Sequence, residues 1–162
     1  MKRMVACVTA TGALLVMGCA PTPVDIELVF PSQETFLFAE FAELTVHELE
    51  PTDLGACPRL LDEALAGSGA APVLDTGAES VCRYRSGAVR FDSIPAGPHG
   101  YVVLVRDASN RVLLTGCRVA EAYEGAPAID IALFPTATYS MVTSGMTPPF
   151  PNEDAKCALT TP

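Results

Sequence analysis

The chain has 162 residues, which is room for one domain, and it is 49% hydrophobic with no tryptophan. Its 10 Lys+Arg stand against 19 Asp+Glu, a formal charge of −9. A field of that sign repels polyanions and argues against nucleic acid as a partner. It also offers no polybasic patch for anionic lipid headgroups, so any membrane attachment must come from an apolar segment or a covalent lipid.

The first residues read as an export signal. Lys2 and Arg3 form a short positive region, and Met4 to Met17 then carries no charge. That run is shorter than the roughly 20 apolar residues of a spanning helix. It ends Val16-Met17-Gly18-Cys19, followed by Ala20-Pro21-Thr22-Pro23. The alternatives are an ordinary secretory signal with a stray cysteine, or an uncleaved membrane helix.

Val16-Met17-Gly18-Cys19 resembles a lipobox, the processing site of bacterial lipoproteins. The resemblance implies cleavage between Gly18 and Cys19, a diacylglyceryl thioether on Cys19, and a further acyl chain of the palmitate type on the new amino terminus. Each buried methylene contributes about 0.8 kcal/mol, so two or three chains anchor a protein where one binds only marginally. Ala20 rather than Asp after the cysteine implies sorting to the outer membrane. Membrane lipid, reached through acylated Cys19, is thus the first expected partner. Cleavage removes Lys2 and Arg3 and no acid, leaving a formal charge of −11.

Residues 20–23 form a short tether of about 12 Å in polyproline geometry. The domain is expected over 24–135. Val24, Ile26, Leu28 and Phe30 alternate with Asp25, Glu27 and Val29, the pattern of a half-buried strand. Phe36 to Leu49 reads as a second extended region, with Leu44 and Val46 facing one way and Glu43, Thr45 and His47 the other. Pro58 to Ala66 instead places Leu60, Leu61, Ala64 and Leu65 on one helical face, with Pro in the first turn and Gly67 at the end. Gly67 to Gly77 reads as a loop of small residues.

Val81 to Tyr84 and Ala88 to Phe91 are short strand candidates around Ser86-Gly87. Ile94-Pro95-Ala96-Gly97 has the residue preferences of a type I turn. Tyr101 to Val105 is apolar on both faces and belongs in the middle of a sheet. Asp107 to Asn110 turns the chain back, with Asn110 suited to a left-handed conformation, and Arg111 to Val119 returns antiparallel with a bulge expected at Gly116. Ile129, Ile131 and Leu133 alternate once more. About seven short strands predict an all-β antiparallel sandwich, prealbumin-like or Ig-like, with one short helix inserted near 58–66. Residues 136–162, rich in Thr and Pro, read as a loosely structured tail.

Phe91-Asp92-Ser93-Ile94-Pro95-Ala96-Gly97, Tyr101-Val102-Val103, the polar turn after it and the closing strand Ile129 to Leu133 together resemble the prealbumin-like or carboxypeptidase-regulatory type of sandwich module. Modules of that kind act mainly as scaffolds or adhesive spacers. The resemblance covers about 40 residues of the processed chain.

Beyond Cys7 and Cys19 the cysteines are Cys57, Cys82, Cys117 and Cys157. An even count in an exported chain reads as two disulfides, and the three connectivities stay open. With no CxxC and no neighbouring histidine, a zinc site is the weaker reading.

For catalysis the chain offers His47 and His99 and no G-x-S-x-G elbow. Both histidines are expected to be exposed, with His99 in a loop. Glu40, Glu43, Glu48, Glu50 and Asp53 read as a solvated acidic face rather than a hydrolytic pair. No run of acids has the spacing of a calcium loop. Phe36, Phe38 and Phe41 are either core or an exposed patch for a partner. No catalytic residue, cofactor or metal ligand is assigned. The expectation is a non-catalytic envelope lipoprotein with a structural or protein-binding domain; a small-ligand binder with an enclosed apolar pocket and, less favoured, a hydrolase centred on His99 are the alternatives.

Overall fold

The computed structural model describes residues 24–89, 91 and 94–158. The signal region, Gly18, Cys19 and the tether lie outside the described residues, as do Arg90 and, within the Phe91–Gly97 motif, Asp92 and Ser93.

The chain is mostly sheet. Six strands form one hydrogen-bonded sheet in the order β1-β6-β5-β4-β2-β3. They are β1 (Ile26–Val29), β2 (Phe41–Glu48), β3 (Leu74–Ser80), β4 (Gly97–Arg106), β5 (Val112–Ala122) and β6 (Ile129–Pro135). β4 lies between β2 and β5, antiparallel to both, and is buried without a break from His99 to Val105. That burial is what an uninterrupted Tyr101–Val105 run requires. Asp107 and Asn110 make the β4–β5 turn, Asn110 at φ 63°. Burial opposes ionisation of Asp107, but the Arg111 side chain and the backbone N–H groups of Arg111 and Ser109 hold its pKa below the usual value.

Alternation sends side chains of each strand to two faces. One face gathers Leu44 and Val46, Tyr101, Val103 and Val105, Leu114, and Ile129, Ile131 and Leu133 into the main core. The other carries Val102, Cys117 and Val119, covered by α2 (Cys57–Ala66) through Leu60 and Leu61. Gly100 makes this approach possible, because a Cβ there would collide with Leu60 Cδ1. Gly67 ends α2 in the left-handed conformation that a Cβ disfavours, at φ 63°. The helix expected at 58–66 is therefore present, and Cys57–Cys117 fastens it to β5.

Several expectations need correction. Only six strands occur among the described residues, in one mixed sheet, since β1 runs parallel to β6. The second layer over the main core is built in part from short helices: α1 (Gln33–Phe38), α3 (Val81–Arg85), α4 (Ala137–Thr143) and α5 (Glu153–Ala158). Phe36 and Phe38 are helical because Ser32 and Thr35 form a reciprocal capping box, each side-chain oxygen accepting the other's backbone N–H at 3.2 Å. Val81 to Tyr84 is helical because Ser80 caps its amide end, accepting from the Cys82 N–H. The strand β3 begins inside the expected small-residue loop. Ala88 and Val89 belong to no strand.

Gly116 is not a bulge; the register breaks instead at Glu43/Thr45 and Val105/Arg106. Gly116 is where β6 crosses closely, and a Cβ on it would lie 2.8 Å from the Ala132 carbonyl oxygen. β5 and β6 pair only from Leu114 to Gly116, then part, and the sheet curls.

Residues 136–158 are not loose. Tyr139, Val142 and Phe150 pack on the core, and Lys156 is buried. The Cys82–Cys157 disulfide fastens this segment to α3. The two bridges span 60 and 75 residues, and chain entropy over loops of that size contributes about 4 kcal/mol each.

Gly116→Ala is expected to lower the unfolding free energy by about 1–3 kcal/mol, because the neighbour that must move is backbone of β6. Urea denaturation of the oxidised protein reads this as a lower midpoint at unchanged slope.

Candidate functional site

The cysteines are brought together as two pairs, Cys57–Cys117 and Cys82–Cys157, on opposite faces of the sheet. The two histidines are kept apart. His47 shares the α2 side with Thr45 and Glu43, and its Nε2 contacts Thr45 Oγ1 at 3.2 Å. Burial lowers the His47 pKa, Glu63 opposes this and Arg59 adds to it.

His99 corrects the expectation of an exposed loop residue. It lies in β4 at 1% exposure, its Nδ1 2.8 Å from the Gly97 carbonyl oxygen. Its Nε2 and the Tyr101 hydroxyl are both buried with no hydrogen-bond partner among the described residues. Neither histidine hydrogen-bonds a carboxylate there. The described residues contain no cluster of three His, Cys, Asp or Glu able to hold a metal.

The aromatic cluster divides. Phe36 is buried and stacks edge-on against Phe30 with centroids 5.0 Å apart, whereas Phe41 is 38% exposed. Phe36 belongs to the core and Phe41 to the surface.

Three surface recesses can be compared. One of about 400 Å³ lies beside α2 and contains His47, Glu43 and Glu63. Two of its acids are met by guanidinium groups, Glu43 by Arg106 at 3.6 Å and Glu63 by Arg59 at 3.2 Å, and the third, Asp75, accepts the Gly77 N–H at 2.8 Å. A smaller recess of about 350 Å³ opens where β5 and β6 part. The largest, about 720 Å³, runs along β1 from Asp25 to Phe30 and is lined across from it by Phe36, Tyr84, Arg85 and Glu153.

This largest groove runs along an edge strand of the sheet. The Ile129 N–H donates to the Asp25 carbonyl at 2.8 Å, and the parallel register pairs Ile26 with Ile129 and Leu28 with Ile131. Successive residues of a strand aim their backbone groups to opposite sides. Asp25, Glu27 and Val29 therefore face β6, while Ile26 and Leu28 point N–H and C=O into the open edge. No hydrogen bond among the described residues reaches those groups. The side chains alternate too: Ile26, Leu28 and Phe30 pack on the core, and Asp25, Glu27 and Val29 are exposed.

The walls of the groove are held by groups that sequence reasoning passed over. Arg85 bonds Glu153 at 3.1 Å and Asp154 at 2.8 Å, joining α3 to α5. Lys156 donates to the carbonyls of Phe36, Leu37 and Ala39. Burial lowers its pKa, and Glu40, 3.7 Å away, opposes that shift. The available signal was Asn152-Glu153-Asp154 before Lys156-Cys157: an N-cap and acidic first turn leading to a cation beside a half-cystine.

Burial raises the Tyr101 pKa to about 12, and burial is also the leading cause that raises Tyr84 to about 12. Unfolded tyrosines ionise near pH 10. The folded state then binds more protons than the unfolded one above that pH, so this part of the stability is present below about pH 10 and is lost as pH rises toward 12. Tyr101→Phe removes a buried hydroxyl that has no partner among the described residues and is expected to change stability at pH 7 by no more than about +1 kcal/mol, in the stabilising direction. The same variant should show a smaller alkaline loss in urea midpoints measured from pH 9 to 12, the check on both statements.

No known protein family, curated protein or solved structure matches this chain.

Proposed function

We propose that this chain is a lipid-anchored protein of the bacterial cell envelope, held in the outer membrane by acyl groups on Cys19, whose domain binds another protein and does not turn over a substrate. The observation that carries the binding half is the groove along β1, where main-chain donors and acceptors of Ile26 and Leu28 stand open beside apolar side chains. Unpaired strand edges in a groove are suited to receive another chain. Support for the anchor is the lipobox-like Val16-Met17-Gly18-Cys19, and two disulfides fit an oxidising compartment. Among the described residues no helix is long and apolar enough to cross a membrane.

The sandwich reading forms part of the same proposal. Its support is the curl in which β6 leaves β5 after Gly116 and carries Ile129 and Ile131 over the main core together with β1. A small apolar ligand is the second reading, favoured by Ile26, Leu28, Phe30 and Phe36 around the same groove.

Cys19→Ser is expected to abolish fatty-acid labelling and leave the precursor uncleaved at this position; labelling at the wild-type level would refute the anchor. A photo-crosslinker placed at Val29, 44% exposed in β1, should give protein adducts in intact envelopes. One at Phe134, 64% exposed in β6, should give fewer. Equal yields from both sites would remove the groove from the binding reading.

A further inference from the structure

We infer that the groove along β1 takes an extended, cationic polypeptide segment, which adds to the sheet as a seventh strand beside β1. The inference rests on the binding reading above and names the chemistry of the partner. Main-chain groups at a strand edge are satisfied in register only by another extended main chain, and here the Ile26 and Leu28 groups face such a space along the whole length of β1.

Charge decides between classes of strand. Asp25 and Glu27 project beside the edge, and Glu153 stands across the groove with Asp154 next to it in sequence. The cation there, Arg85, is already shared by Glu153 and Asp154, at 3.1 and 2.8 Å. The uncompensated sign is negative, as it is over the whole chain at −9. A second copy pairing edge to edge would set the acids of one β1 near those of the other, which like-charge repulsion disfavours. A strand whose outward residues are Lys or Arg and whose inward residues are apolar meets both the acids and the side chains of Ile26, Leu28 and Phe36.

The test uses the oxidised full chain and three short labelled peptides. The first alternates lysine and valine, the second alternates glutamate and valine, and the third is the lysine peptide with the amides of one edge N-methylated. Anisotropy should show saturable binding of the first, at least about tenfold weaker binding of the second, and loss of binding by the third. Hydrogen exchange should slow at the amides of Ile26 and Leu28 when the first peptide is bound. Asp25→Lys combined with Glu27→Lys changes exposed side chains only. It should weaken the lysine peptide and strengthen the glutamate peptide while leaving the urea midpoint in place.

Each contrary result overturns a stated part. Tight binding of the glutamate peptide with protection of Ile26 and Leu28 removes the cationic class but leaves the strand-binding groove. Binding of the N-methylated peptide, protection confined to β3, or no saturable binding at all removes the added strand. Dimerisation through protected β1 amides identifies a second copy as the occupant and refutes the inference. None of these outcomes bears on acylation of Cys19, which the labelling experiment reads separately.

Discussion

The ammonium of Lys156 sits where α1 ends, donating to the carbonyls of Phe36, Leu37 and Ala39. The last carbonyls of a helix have no donor within the helix. In a six-residue element they are most of the carbonyls present, so α1 depends on an outside donor more than a long helix would. The donor is supplied from 117 to 120 residues away in sequence. Phe36 and Phe150 turn their ring faces to the same cation at 5.5 and 5.8 Å. Next in sequence, Cys157 is bonded to Cys82 of α3. One dipeptide thus binds α5 to both α1 and α3, the elements that stand across the groove from β1.

This arrangement bears on the polarity of the recesses beside α2 and along β1. Beside α2, Glu43 and Glu63 each have a guanidinium, and Asp75 accepts a backbone N–H. Along β1 the only cation facing the groove among the described residues, Arg85, is spent on α5, and the Lys156 charge is sealed behind α1. The groove therefore keeps together its acids and a β1 edge that no other strand pairs with among the described residues. His99 and Tyr101 contribute differently: buried side by side on the core face of β4, with ring centroids 6.3 Å apart, they place polar atoms inside an otherwise apolar layer.

Much of the sheet was legible in the sequence because its signals are local. Period two marked β1, β6 and the inner face of β2; an unbroken apolar run marked β4 as central; Pro58 and Gly67 bounded α2; Asn110 marked the turn that it makes. Phe36–Phe38 and Val81–Tyr84 misled because aromatic and β-branched residues favour strands, whereas Ser32, Thr35 and Ser80 supply caps that decide short segments otherwise. The parallel pairing of β1 with β6 joins residues about a hundred positions apart and leaves no local trace. The cysteine count gave the number of bridges but not their partners. The groove was illegible for a plainer reason: it is defined by the backbone groups of Ile26 and Leu28, which every sequence possesses, and by what does not lie beside them.

The order of the half-cystines has a consequence for biogenesis. Cys57 joins Cys117 and Cys82 joins Cys157, so the two covalent loops interleave. A chain emerging amino terminus first into an oxidising space would present Cys57 and Cys82 together before either proper mate had arrived. Oxidation in order of emergence would then trap a Cys57–Cys82 link that prevents α2 from reaching β5. Correct maturation requires either that thiols stay reduced until the carboxyl end is delivered or that a disulfide-exchanging catalyst corrects the early pairing.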